Sequence, residues 1–206
     1  MKKNIKDNIL LIAQNTFRKY GFRKTTMDEI AFAAGKTKST MYYYFESKEE
    51  VFKAVVEKEV LQLRSEIQEA VNKKPGAKKK LEAYIFTRMK GFRKLGNFYE
   101  LLKDEFISNL EFAEKIRTVY DKNETEALAQ IIQNGVDNNE FKKLNASLTA
   151  RTIVIAMKGL EAPALIETNM EAFEKEIGDM LNILFFGICN WLFFLNKNWL
   201  KDVNSQ

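Results

Sequence analysis

Residues 26–48, TMDEIAFAAGKTKSTMYYYFESK, decide how the chain reads. Thr26 with Glu29, and Ser47 with Glu50, have capping-box spacing, in which a hydroxyl and a carboxylate three residues apart satisfy each other's orphan amides. Thr37 has a side chain suited to capping a helix over residues 38–45. Gly35 supplies the backbone freedom of a tight corner. The stretch predicts two short helices joined at Gly35, with a third opening after Ser47.

Projected at about 100° per residue, the short helix after Gly35 puts Met41 and Phe45 on one face. Ser39, Thr40 and Tyr43 fall on the other, with Tyr42 and Tyr44 on the flanks. The first predicted helix carries Asp28 and Glu29 in its first turn, and the third carries Glu49 and Glu50. The middle one has no acid there, only Lys36, Thr37, Lys38, Ser39 and Thr40. Its amides and positive dipole end are open to an anion such as phosphate. Helix, glycine turn, helix is the layout of a helix-turn-helix DNA reader, with residues 38–45 as the recognition helix.

In these residues the chain resembles the N-terminal domain of the TetR/AcrR family of bacterial transcriptional regulators. The matching positions are Thr26, Ile30-Ala31, Ala34-Gly35, Thr37, Thr40-Met41-Tyr42-Tyr43-Tyr44-Phe45 and Ser47-Lys48-Glu49. Lys36 stands where the family usually has an apolar residue, and Ser39 where glycine is common. The resemblance implies an all-α homodimer of about nine helices. Residues 1–48 would form the DNA-binding domain and residues 49–206 the effector-binding and dimerisation domain. It also implies roles. Thr26 would bond phosphate, and Thr37, Lys38, Ser39 and Thr40 would sit at the tip of the recognition helix, the last three reaching base edges. Tyr42 would touch a sugar or a thymine methyl, Tyr43 and Tyr44 would reach phosphates, and Lys48 would grip another.

Composition agrees. A chain of 206 residues with two prolines and nine glycines has ample material for a helical core. One cysteine and no histidine exclude a disulfide framework and argue against zinc, and no cofactor is expected. Lys6, Asp7 and Asn8 interrupt any apolar leader, so a cytoplasmic protein is expected. Residues 1–48 hold ten Lys/Arg and four Asp/Glu, a net of +6, while the other 158 residues carry −1. A basic end that coincides with a helix-turn-helix fits a phosphate footprint.

Along the rest of the chain, Ile5, Ile9, Ile12, Ala13, Phe17 and Tyr20 form one stripe of a first helix ended by Gly21. A long helix from Lys48 to about Asn72 is predicted to turn Val51, Val55, Leu61 and Ile67 inward, and Lys73-Lys74-Pro75-Gly76 breaks it. Further helices are expected near 77–94, 97–108, 111–134, 146–168 and 171–196, with Pro163 stopping or kinking the fourth near Glu161. Residues 137–141 read as a loop in which Asn139 replaces a glycine common in the family.

Aromatic and methionine side chains gather mid-chain. As an effector pocket this predicts Phe86, Met89, Phe92, Phe106, Phe112 and Met157 as lining, with Arg88, Glu105 and Glu161 as polar anchors; ordinary core is the competing reading. Residues 182–195, NILFFGICNWLFFL, are apolar at eleven of fourteen positions, too short a run to span a bilayer. A helix apolar all round must be buried all round, which a second copy of the chain provides. Phe185, Trp191, Phe194 and Trp199 are the expected interface anchors, and Cys189 a small buried residue.

The sequence thus predicts a non-enzymatic regulator, a repressor bound to a palindromic double-stranded DNA operator and released by a small hydrophobic effector. The alternative is an effector-independent activator or architectural DNA binder. Catalysis has no support, because no nucleophile signature is present and Asp104-Glu105 diverge on a helix. A membrane-surface role for residues 183–195 is a further rival.

Overall fold

The computed structural model describes residues 2–92, 94–97, 111–161 and 169–188. Among these the chain is all-helical: α1 Lys2–Tyr20, α2 Met27–Ala33, α3 Lys38–Tyr44, α4 Lys48–Asn72, α5 Ala77–Phe92, α6 Glu111–Asp137, α7 Ala146–Gly159 and α8 Met170–Ile188. The chain forms two compact units, Met1–Arg64 with Lys94–Tyr120, and Ser65–Arg93 with Asp121–Gln206.

The first unit is built on apolar residues at helical spacing. Ile9, Ala13 and Phe17 of α1 are buried together with Ile30 and Ala31 of α2, Met41 of α3 and Val51, Phe52, Val55 and Val56 of α4. Helix α1 packs on α2, and α2 on α3. Phe17 meets Phe52 edge-on at 5.1 Å, and Phe22 lies 4.8 Å from Phe52. Full burial of each such ring contributes about 1.5–3 kcal/mol. Gly21 closes α1 at φ 79°, its amide bonded to the Phe17 carbonyl at 2.7 Å. Two side chains depart from the expected stripes. Tyr20 is exposed, because the chain has already turned away at Gly21, and Lys19 lies over its ring. Leu61 faces solvent while Leu63 is buried in its place.

A polar cluster sits inside this unit. The buried Glu59 carboxylate accepts from Asn97 Nδ2 at 2.8 Å and Gln14 Nε2 at 3.0 Å, and Asn97 also donates to the Gln14 carbonyl. Arg18 donates to the Lys94 carbonyl. Residues 94–97 are thereby fastened to α1 and α4.

In the second unit the buried stripes are Leu81, Ile85, Met89 and Phe92 of α5, Leu128 and Ile132 of α6, Ala150, Ile153 and Met157 of α7, and Phe173, Ile177 and Leu181 of α8. The N-terminus of α5 is capped from far away in sequence. The Glu140 carboxylate accepts the Ala77 amide at 2.9 Å and the Lys78 amide at 3.4 Å. Glu140 can reach because the chain reverses after α6. Asn139 takes φ 58°, a left-handed conformation that asparagine tolerates, and Phe141 N bonds back to the Gly135 carbonyl at 3.0 Å.

Helix α6 continues through Gly135 to Asp137, three residues beyond the expected end. Helix α7 stops at Gly159, with Leu160 as its C-cap, so the predicted helix over 146–168 is shorter and ends just before Glu161. Pro163 and most of the helix expected at 97–108 lie outside the described residues.

Candidate nucleic-acid interface

Helix α3 shows two faces. Met41 is 0 % and Phe45 1 % exposed, whereas Tyr43 is 65 % exposed and Ser39 and Lys38 stand in solvent. The two buried side chains anchor this segment in the core of the first unit and leave the polar edge outward. Gly35 makes the corner at φ 61°, and the Lys36 amide bonds to the Ala31 carbonyl at 2.9 Å. Only a residue tolerant of positive φ closes this turn without strain.

Caps set where each helix begins. Thr37 accepts the Thr40 amide at 3.2 Å, and the two hydroxyls lie 2.9 Å apart. At α2 the capping box is complete: Thr26 Oγ1 accepts the Glu29 amide at 3.2 Å, and the Glu29 carboxylate accepts the Thr26 amide at 2.8 Å. The Thr26 groups expected on phosphate are therefore engaged by Glu29. At α4 half of the expected box forms. Ser47 Oγ accepts the Glu50 amide at 3.2 Å, but the Glu50 carboxylate takes the Glu46 amide instead of the Ser47 one.

Electrostatics on this face are adjustable. Lys38 Nζ donates to Asp28 at 3.0 Å, with both side chains exposed, and this hydrogen bond raises the lysine pKa. An exposed pair of this kind is screened by water and weak, so a phosphate or base can replace Asp28 at little cost. Tyr42 is exposed, Tyr43 and Tyr44 meet edge-on at 5.0 Å, and Tyr44 is half-buried. Lys48, expected on phosphate, also has partners within the protein. Its Nζ donates to the Phe22 carbonyl at 3.0 Å and lies 4.4 Å from the Phe22 ring centroid, because Gly21 brings that turn against the start of α4.

The expected effector residues separate. Arg88, Met89, Phe92 and Met157 are fully buried in the second unit, with the Arg88 guanidinium 5.1 Å from the Phe92 ring centroid. Arg88 donates to Glu124 through Nε at 2.9 Å and Nη2 at 3.2 Å, and Nη2 also bonds Glu161. Burial pushes the Glu161 pKa up despite that arginine. Glu124 was not anticipated, since nothing in the sequence pairs residues 36 positions apart. Phe86 departs from the group: with Ala70, Ala83 and Thr87 it lines an open groove of about 700 Å³ edged by Glu and Lys side chains. Phe112 belongs to the first unit, its ring 6.5 Å from Phe52, because the first ten residues of α6 fall in that unit. Phe106 and Glu105 lie outside the described residues.

Of the expected interface anchors, Phe185 is 5 % exposed and turned inward, with Lys78 over its ring, so it has no surface to give a partner. Its neighbours Ile183 and Phe186 are exposed, as are Leu148 and Ile155 on α7. Trp191, Phe194, Trp199 and Cys189 lie outside the described residues. No described helix is long and apolar enough to cross a membrane, and no metal-ligand cluster occurs among the described residues.

A buried-backed short helix offering hydroxyls, phenols and a lysine beyond a glycine corner defines a helix-turn-helix DNA-binding protein. Residues 9–55 match the model of the bacterial regulatory proteins, tetR family. Over these residues the chain carries the N-terminal domain of this family of transcriptional regulators. An uncharacterized HTH-type transcriptional regulator of Bacillus subtilis, YhgD, is 28% identical over 146 residues, covering 69% of this chain and 74% of its own. A transcriptional regulator from Cytophaga hutchinsonii superposes with a TM-score of 0.74 at 28% identity, over 88% of this chain and 97% of that one. The SmeT–triclosan complex shares the fold, with a TM-score of 0.73 at 16% identity, over 91% and 92% of the two chains.

Proposed function

We propose that this regulator is a repressor whose dimer occupies a palindromic operator and leaves it when a small hydrophobic effector binds. The observation that carries the reading is the outward edge of α3, where Lys38, Ser39, Thr40, Tyr42 and Tyr43 stand clear of a core anchored by Met41 and Phe45. In this reading residues 1–48 read DNA and residues 49–206 sense the effector and dimerise, in the cytoplasm.

Two recognition helices docking on one duplex face must lie about 34–36 Å apart, one turn between half-sites. An effector releases the operator only if it prefers a conformer in which that spacing is lost. The SmeT–triclosan complex, alike in fold, supports small-molecule sensing by analogy. The exposed apolar residues of α7 and α8, Leu148, Ile155, Ile183 and Phe186, support a second copy of the chain as partner. Fluorescence anisotropy with DNA selected from a random pool tests the reading. Saturable, symmetric-site binding by a dimer is expected; a monomer, or a protein that prefers no sequence, overturns it.

A further inference from the structure

Resting on the reading of α3 as the recognition helix, we infer that Asp28 of α2 reads DNA together with Lys38, the two side chains selecting a G·C pair whose cytosine meets the carboxylate. The observations lie at the α2–α3 corner. Lys38 Nζ and Asp28 Oδ2 are 3.0 Å apart, with the two side chains 63 % and 62 % exposed. The turn at Gly35 folds the chain back, so that the first residue of α3 meets the first turn of α2. The two acids of that turn are used differently. Glu29 is taken up by the capping box, its carboxylate accepting from Thr26 N at 2.8 Å and from Thr26 Oγ1 at 2.9 Å. Asp28 bonds only Lys38 among the described residues. It is an acceptor held in solvent beside the outward edge of α3, within the segment of net charge +6.

An ionised carboxylate only accepts hydrogen bonds and an ammonium only donates them. Phosphate therefore repels Asp28, and so do guanine O6 and N7 and thymine O4. In the major groove the groups it can bond are the amino groups of cytosine and adenine. Lys38 needs the opposite, and guanine offers it two acceptors side by side. In a G·C pair, guanine O6 and cytosine N4 are joined by a Watson–Crick hydrogen bond and lie about 2.9 Å apart. Nζ and Oδ2 have the same spacing, so the ammonium on O6 and N7 and the carboxylate on N4 can meet one base pair without parting. Lysine has three N–H donors, and Asp28 occupies one of them. An A·T pair fits worse: adenine N6 could serve Asp28, but the two adjacent acceptors are gone and a methyl group stands beside thymine O4. Asp28 thus lowers affinity for DNA in general and adds discrimination.

Selection from a random duplex pool with the full chain, followed by fluorescence anisotropy at one salt concentration, tests this. The parent should enrich a G·C pair at one position of each half-site, and its replacement by A·T should weaken binding about tenfold or more. Asp28→Asn should bring that penalty within about threefold, because asparagine serves adenine as well, and Lys38→Ala should do so at the same pair and no other. Asp28→Asn should also bind unselected duplex at least as tightly as the parent, since a charge that repels phosphate is gone. Asp28→Ser should repeat both results, with thermal melting of each variant showing that the fold is kept. An acid that only stabilised α2 would, when replaced, weaken every sequence alike and leave the selected site as it was; that result overturns the proposal. So does an enriched site in which the variants at 28 and 38 alter different pairs, or in which the shared pair is not G·C. A parent that enriches no sequence overturns the recognition-helix reading and this proposal with it.

Discussion

Replacing Arg88 by methionine gives a large and calculable effect. The side chain is wholly buried, and Glu124, which it holds by two hydrogen bonds, is 4 % exposed. Methionine fills a similar length but leaves the Glu124 carboxylate without its counter-charge in an apolar setting. Breaking a buried pair from one side costs about 3–5 kcal/mol. Against a total stability of about 5–15 kcal/mol, that is a severe loss. At about 2–4 °C per kcal/mol for a chain of this size, the melting midpoint should fall by roughly 6–20 °C. The double variant Arg88→Met/Glu124→Leu removes both charges and should recover most of the loss. Circular dichroism at 222 nm during thermal and urea unfolding reads both, at one fixed protomer concentration because an oligomer's midpoint depends on it. A single variant within about 1 kcal/mol of the parent, or a double variant no better than the single, would refute the reasoning.

Three further outcomes follow from named contacts. Gly135→Ala would set a Cβ 2.3 Å from Phe141 Cδ2 and 2.8 Å from the Ala77 Cβ, so a loss of about 1–3 kcal/mol is expected in the same melts. Glu161 has a folded-state pKa above its unfolded value, so the folded chain binds more protons in that window and gains stability as pH falls through it. Glu161→Gln should flatten this part of the stability–pH curve; an unchanged curve would show that the gain belongs to other groups. Thr37→Ala removes the cap on the Thr40 amide, costing about 1 kcal/mol and weakening DNA binding through a frayed α3 start. Unaltered affinity would remove the cap from the account.

The first unit was legible in the sequence because its signals are local. Thr26, Thr37 and Gly35 lie within three or four residues of the groups they satisfy, and a seven-residue helix with Met41 and Phe45 on one side has one way to face a core. Tyr20 and Leu61 were misread because apolar spacing alone does not say where a partner surface ends. The second unit was read less well, since its determinants are remote. Glu140 caps α5 from more than sixty residues away, and Glu124 meets Arg88 across two helices. Neither pairing leaves a periodic trace. The aromatics Phe86 and Phe112 looked like companions of Met89 and Phe92, but composition cannot separate a groove wall from a core.

The most direct test of DNA reading by α3 is selection from a random duplex pool with the parent chain, Ser39→Ala and Tyr43→Ala. The parent should enrich a two-fold symmetric site with half-sites about one helical turn apart. Ser39→Ala should enrich a different base at one position of each half-site, while Tyr43→Ala should keep the site and bind it more weakly at every salt concentration. Failure of the parent to enrich any sequence, or the same site bound at full affinity by both variants, would contradict the account.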